Sequence, residues 1–144
     1  MAAVNPYISF AGTCEEAFDH YKSVFGGDFA SQMRWGDNPD CGQMSDEDKN
    51  QIMHVALPVG STVIMGSDNP ASMGGVERGT GFSVAIGSSD LEESQKIFDG
   101  LSEGGTVTMP LQKTFWGATF GMCTDKFGIP WMINCDESGQ QMGG

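Results

Sequence analysis

The chain contains 144 residues, of which 39% are hydrophobic and 18% are charged, values typical of one globular domain rather than a disordered chain. Its formal net charge is −12, and its few basic residues form no cluster that could follow a phosphate backbone, which excludes nucleic acid as a partner. The same charge would repel an anionic membrane surface, and no apolar run is long enough to cross a bilayer.

The cysteines and the start of the chain suggest a compartment. The four cysteines are scattered without a C-x-x-C pair, and residues 1–10 lack the basic and apolar regions of a secretory signal. We therefore expect a soluble cytoplasmic protein with reduced thiols and no disulfide framework.

The first half of the chain predicts one helix among several strands. Thr13 and Glu16 have the spacing of a capping box, apolar residues then recur every three or four positions, and Gly26-Gly27 ends the helix. The predicted elements are a strand over 4–10, this helix, a strand over 29–35, a mobile loop over 36–50 with a solvated acidic run at 46–48, and a hairpin of strands over 52–59 and 62–67.

The same pattern begins again after a segment rich in Pro, Gly, Ser and Asn over 68–79. Asp90 and Glu93 repeat the spacing of the cap, and Gly104-Gly105 ends the helix. Between them lies a partly apolar face formed by Leu91, Ser94, Phe98 and Leu101. The predicted elements are a strand over 82–87, this helix, strands over 107–111, 115–123 and 129–133, a turn over 125–128 and a polar tail over 136–144.

The two halves can be superposed in sequence. Thr13 and Asp90, and likewise Tyr21 and Phe98, are separated by 77 positions. We therefore predict an α+β fold of two βαβββ modules, whose paired sheets form a cupped mixed sheet around a cavity. The domain would span 1–135, with module one over 4–67, a linker over 68–79, module two over 80–135 and a flexible tail over 136–144.

Three segments resemble the PhnB-like proteins of the glyoxalase/bleomycin-resistance (vicinal oxygen chelate) superfamily. They are EEAFDHYKSVFG over 15–26, MPLQKTFWGATFGM over 109–122 and FGIPWMIN over 127–134, and the resemblance covers about 4–135. It implies the βαβββ-module fold and a homodimer. Proteins of this kind often carry the label of a demethylubiquinone methyltransferase, but the sequence has no glycine-rich strand-to-helix turn suited to S-adenosylmethionine.

The resemblance also implies where a metal would be held. The superfamily places up to four His, Gln or Glu ligands on the first and last strands of each half, and these positions fall near Pro6, Met65, Ser83 and Met132. None of these side chains is a good ligand for a divalent cation, because proline has no donor and a thioether prefers soft copper. We therefore expect no metal and no other cofactor.

Several residues are candidates for lining the cavity. Trp35 and Trp116 lie beside glycines that leave space, whereas Trp131 is expected to face the helix. Strand methionines could form a pliable lining or could equally fill the core. The predicted ligand contacts are Trp35, His54, Met65, Trp116 and Met132.

Other reactive side chains have ordinary interpretations. His54 either points into the cavity or is a half-buried histidine satisfied by the backbone, and His20 is expected on a solvated helix surface. Cys14 begins a helix, where a thiolate is favoured, but it also belongs to the apolar face and is better explained as a buried structural cysteine.

Two functions remain open at this point. The first is a metal-free, homodimeric binding module for a small apolar or aromatic molecule, as in bleomycin-resistance proteins. The second is a metal-dependent lyase, dioxygenase or epimerase of the same superfamily with a displaced metal site, using His54 and an acidic residue of the 36–50 loop. The poor ligand set favours the first, without catalysis.

Overall fold

A computed structural model describes residues 2–39 and 42–137 and divides them into two compact units, which meet in sequence between Glu77 and Arg78. Each unit contains one four-stranded mixed sheet and one 12-residue helix. None of the helices in these described ranges is long and apolar enough to cross a membrane. The expected α+β fold of two βαβββ modules is confirmed.

The first unit has the sheet order β1-β4-β3-β2, in which β1 runs parallel to β4 and the other neighbours are antiparallel. Its elements are β1 (Tyr7–Phe10), α1 (Cys14–Phe25), β2 (Ser31–Arg34), α2 (Asp46–Lys49), β3 (Ile52–Val59) and β4 (Thr62–Asp68), with 3-10 turns at Trp35–Asp37 and Ala71–Met73.

The second unit repeats this topology with the order β5-β8-β7-β6. Its elements are β5 (Val84–Ser88), α3 (Leu91–Ser102), β6 (Thr106–Lys113), β7 (Thr119–Thr124) and β8 (Pro130–Cys135). The bounds of α1 and α3 differ by the predicted 77 positions at both ends. Most of the predicted tail lies outside the described residues, but the Asp136 N–H still donates to the Ser88 carbonyl at 2.9 Å.

The two long helices begin in different ways. Asp90 caps α3 as predicted, because its carboxylate accepts the N–H groups of Glu92 and Glu93 at 3.0 and 3.2 Å. Thr13 makes no side-chain cap for α1, so the capping-box prediction there is wrong. The carboxylate of Asp68, at the end of β4, accepts the Cys14 N–H at 3.0 Å instead.

Each helix packs closely on one face of its sheet. A Cβ built on Gly66 would lie 2.6 Å from the ring of Phe18, and one built on Gly121 would lie 2.9 Å from the ring of Phe98. Only glycine allows such an approach. We call the face that includes Gly66 or Gly121 the helix face and the opposite one the far face. Because strand side chains alternate, the residues next to these glycines belong to the far face.

Two of the predicted segments differ from the structure. The stretch over 36–50 contains a 3-10 turn and α2 rather than a featureless loop, and its acidic run forms that short helix. Arg34 Nη1 donates to the Asn50 carbonyl at 2.6 Å, and Ser72 donates to Asp48 at 2.8 Å, so two side chains from outside the stretch hold α2 and the residue that follows it. The predicted strand over 115–123 begins only at Thr119, because Thr114 N–H donates to the Ala118 carbonyl and closes a loop.

The predicted turn over 125–128 is confirmed, and a buried carboxylate organises it. Asp125 is only 3% exposed. Its Oδ1 accepts the N–H groups of Phe127 and Ile129 at 2.9 and 3.0 Å, and its Oδ2 accepts Trp131 Nε1–H at 2.9 Å. Trp131 is 1% exposed on the helix face, as expected from the sequence.

Candidate functional site

The far face of the first sheet carries an aromatic pair beside a methionine. Met65 pairs with Tyr7 on one side and with Ala56 on the other. His54 lies two residues from Ala56 on the same face, and its ring is stacked with that of Tyr7 at 6.0 Å between centroids and 29° between planes. Tyr7 is 51% exposed, so this pair presents accessible ring surface.

The far face of the second sheet carries a row of methionines. Met109 pairs with Met122, and Met122 pairs with Met132. Ala85 ends the row on β5, where it pairs with Met132. Three thioether side chains from three strands therefore form one apolar strip, and their many rotamers suit irregular ligand shapes.

Aromatic rings from the loop between β6 and β7 extend this surface. Trp116 meets Phe120 of β7 at 6.1 Å and 63°, and Phe115 meets Trp116 at 5.0 Å and 90°. Phe120 lies one residue from Gly121 and therefore belongs to the far face. Trp116 is 44% exposed, so the inclined rings of Trp116 and Phe120 form the walls of an apolar corner.

The five predicted ligand contacts thus fall into two groups. His54 and Met65 share the far face of the first sheet, and Met132 lies on the far face of the second, whose Phe120 meets Trp116. Trp35 begins the 3-10 turn after β2, and its Nε1–H donates to the carbonyl of Asp68, the last residue of β4, at 3.1 Å.

Sequence reasoning missed several members of these surfaces, among them Tyr7 and Phe120. Alternation along each strand could have suggested them. Their partners depend on the register between strands, which alternation does not reveal.

The structure shows the surroundings of the positions carried over for metal ligands. Pro6 and Ser83 both precede their strands, and the residues paired with Met65 and Met132 are Tyr7 and Ala85. The first unit therefore offers one phenol oxygen and one thioether at these places, and the second offers a hydroxyl and one thioether. Neither set fits a divalent cation, which needs imidazole, carboxylate or thiolate ligands. Within residues 2–39 and 42–137, no three His, Cys, Asp or Glu side chains converge on one point.

Two buried cysteines, Cys14 and Cys123, are not activated nucleophiles. Cys14 is fully buried, and burial, reinforced by the charges of Asp68 and Glu15, raises the pKa of its thiol far above the usual range. Burial, followed by the charge of Asp125, raises the pKa of Cys123 to about 11. Both thiols stay protonated at neutral pH, in agreement with the structural role expected for Cys14. Cys41 lies outside the described residues.

One histidine differs from expectation. His20 of α1 is half-buried, and its Nε2 is shielded from solvent, so the prediction of a solvated surface histidine is wrong. His54 is also half-buried, and it remains the histidine that faces a candidate ligand surface.

Comparison with known proteins identifies the family. The sequence profile of the Glyoxalase/Bleomycin resistance protein/Dioxygenase superfamily matches residues 3–133. The chain belongs to this superfamily. Protein YjdN of Escherichia coli (strain K12) is 35% identical over 139 residues, which cover 91% of this chain and 93% of that protein.

Solved structures agree with this assignment. The chain is similar to protein PA1353 of Pseudomonas aeruginosa, with a TM-score of 0.85, 40% identity, and coverage of 94% of this chain and 98% of that one. The PhnB protein of Bacillus cereus shares the fold, with a TM-score of 0.71, 21% identity, and coverage of 93% and 99%. The expected membership of the glyoxalase/bleomycin-resistance superfamily is therefore confirmed, and the fold is that of a PhnB protein.

Proposed function

We propose that this superfamily member is a cytoplasmic, metal-free binding module that holds a small apolar or aromatic molecule. The observation that carries the proposal is the far face of the second sheet, where the row Met109, Met122 and Met132 lies beside the corner of Trp116 and Phe120. Methionine and aromatic side chains give large dispersion contacts without demanding one ligand shape.

The donor set supports binding over metal-assisted catalysis. The residues near the positions that the resemblance implies for metal ligands are Pro6 and Met65 in the first unit and Ser83 and Met132 in the second, and none of them is a good ligand for a divalent cation. In the first unit, His54, Met65 and Tyr7 offer a surface of their own for ligand contacts. Trp35 would offer only its ring faces, because its Nε1–H already donates to Asp68.

Trp116→Ala is expected to weaken the binding of aromatic ligands about tenfold or more, because it removes one wall of the corner. Calorimetry and intrinsic tryptophan fluorescence over a panel of aromatic compounds and glycopeptide drugs would measure this. Phe82→Ala is a matched control, since Phe82 is also 44% exposed. We expect that variant to bind as the wild type does.

Two outcomes would contradict this function. If no compound of the panel binds the wild-type protein, the binding function is wrong. If protein purified without chelator contains a stoichiometric transition metal that His54→Ala removes, the chain is a metalloenzyme with a displaced site.

We also propose that two copies of the chain associate. β6 is an edge strand of its sheet, and its side chains Val107 and Met109 are 45% and 38% exposed. A second copy that covers this strand would remove apolar surface from water. Size-exclusion chromatography with light scattering should give twice the monomer mass, and Val107→Glu should shift the protein toward monomer. A wild-type monomer at tens of micromolar would refute the dimer.

A further inference from the structure

A second row of side chains crosses the far face of the second sheet beside the methionines. Gln112 pairs with Phe120, and Phe120 pairs with Asn134. Paired strands lie about 5 Å apart, so the two amide-bearing residues flank the Phe120 ring and are separated by roughly 10 Å. Gly87 pairs with Asn134 and adds no side chain at the end of this row.

The side-chain NH2 group of Asn134 has no hydrogen-bond acceptor among the described residues. Its Nδ2 is shielded from solvent and makes no hydrogen bond with any described residue. Such a group costs stability, and native proteins contain few of them, so each needs an explanation. Rotation of the amide exchanges its donor and acceptor ends, so Asn134 can turn either one toward a ligand above Phe120.

The row contains no charged side chain, and the chain carries a net charge of −12, which disfavours anionic ligands. We propose that Gln112, Phe120 and Asn134 form a subsite for a neutral planar heteroaromatic molecule. Its ring lies against Phe120 within the corner that Trp116 completes, and its hydrogen-bonding groups meet the two amides at opposite edges. This proposal rests on the proposed binding function and specifies the class of ligand.

Two bicyclic probes of similar size would test the subsite by calorimetry. 1,5-Dihydro-1,5-naphthyridine-2,6-dione carries a lactam donor and acceptor at each of two opposite edges, whereas naphthalene carries neither. We expect the wild-type protein to prefer the naphthyridinedione. Asn134→Leu should weaken naphthyridinedione binding about tenfold and leave naphthalene binding within about twofold, since only the hydrogen bond is lost. Gln112→Leu is the matched variant on the other side of Phe120 and should act in the same direction.

Thermal unfolding separates a binding role from a structural one. Because Asn134 Nδ2 has no partner among residues 2–39 and 42–137, Asn134→Leu should keep or raise the Tm. A drop of more than about 5 °C would overturn the proposal by indicating a structural amide. If both probes bind equally well and Asn134→Leu changes neither affinity, the subsite is wrong while the binding function stands. If neither these probes nor any compound of the wider panel binds, both proposals fall.

Discussion

Replacing Asp68 with alanine is expected to lower the free energy of unfolding by about 4 kcal/mol, because three backbone donors lose their acceptor in the interior. The carboxylate is 2% exposed and accepts the N–H groups of Gly12, Cys14 and Ile52 at 2.8, 3.0 and 2.9 Å. It therefore caps α1 and joins the start of β3 to the end of β4. Denaturant unfolding monitored by circular dichroism would measure the loss.

Two control variants define the origin of this effect. Asp68→Asn keeps Oδ1 for Gly12 and Cys14 but turns an amide donor toward Ile52, so it should lose less stability than Asp68→Ala. Asp28→Ala removes a carboxylate that is 95% exposed and paired with Lys22 at 3.5 Å, and it should change stability by less than about 0.5 kcal/mol. A loss of less than about 1 kcal/mol for Asp68→Ala would show that water replaces the carboxylate without penalty.

Asp125→Ala is expected to destabilise the second unit by about 3 kcal/mol, because it leaves the buried donors of Ile129 and Trp131 and the part-buried N–H of Phe127 without their acceptor. Trp131 reports on this change directly, since its Nε1–H donates to Asp125 Oδ2 at 2.9 Å. Unfolding followed by tryptophan fluorescence would therefore detect both the loss of stability and the altered indole environment.

A double-mutant cycle with Trp131→Phe isolates the indole hydrogen bond. Trp131→Phe keeps a buried aromatic ring and removes only the donor and some volume. We expect a coupling energy of about 1–3 kcal/mol between the two substitutions, the range for groups that share one hydrogen bond. Additive effects would mean that Asp125 acts through the backbone of its turn alone.

The sequence alone determined the local elements and the repeat. Apolar residues at intervals of three and four predicted α1 and α3, and glycine pairs predicted where these helices end. Both signals are local, because helix periodicity and helix exit depend on neighbouring residues. The bounds of β3 were also predicted correctly, since an apolar run followed by a Gly-Ser turn is a local signal. The resemblance to PhnB-like proteins then supplied the family.

Only the tertiary structure decided which residues meet. Register sets Tyr7 rather than Pro6 opposite Met65, and it aligns Met109 with Met122 across a bulged pair of strands. Asp68 was assigned to a linker, yet its carboxylate caps a helix that begins 54 residues earlier. Pairing between distant segments depends on the packing of the whole unit, and no local pattern encodes it.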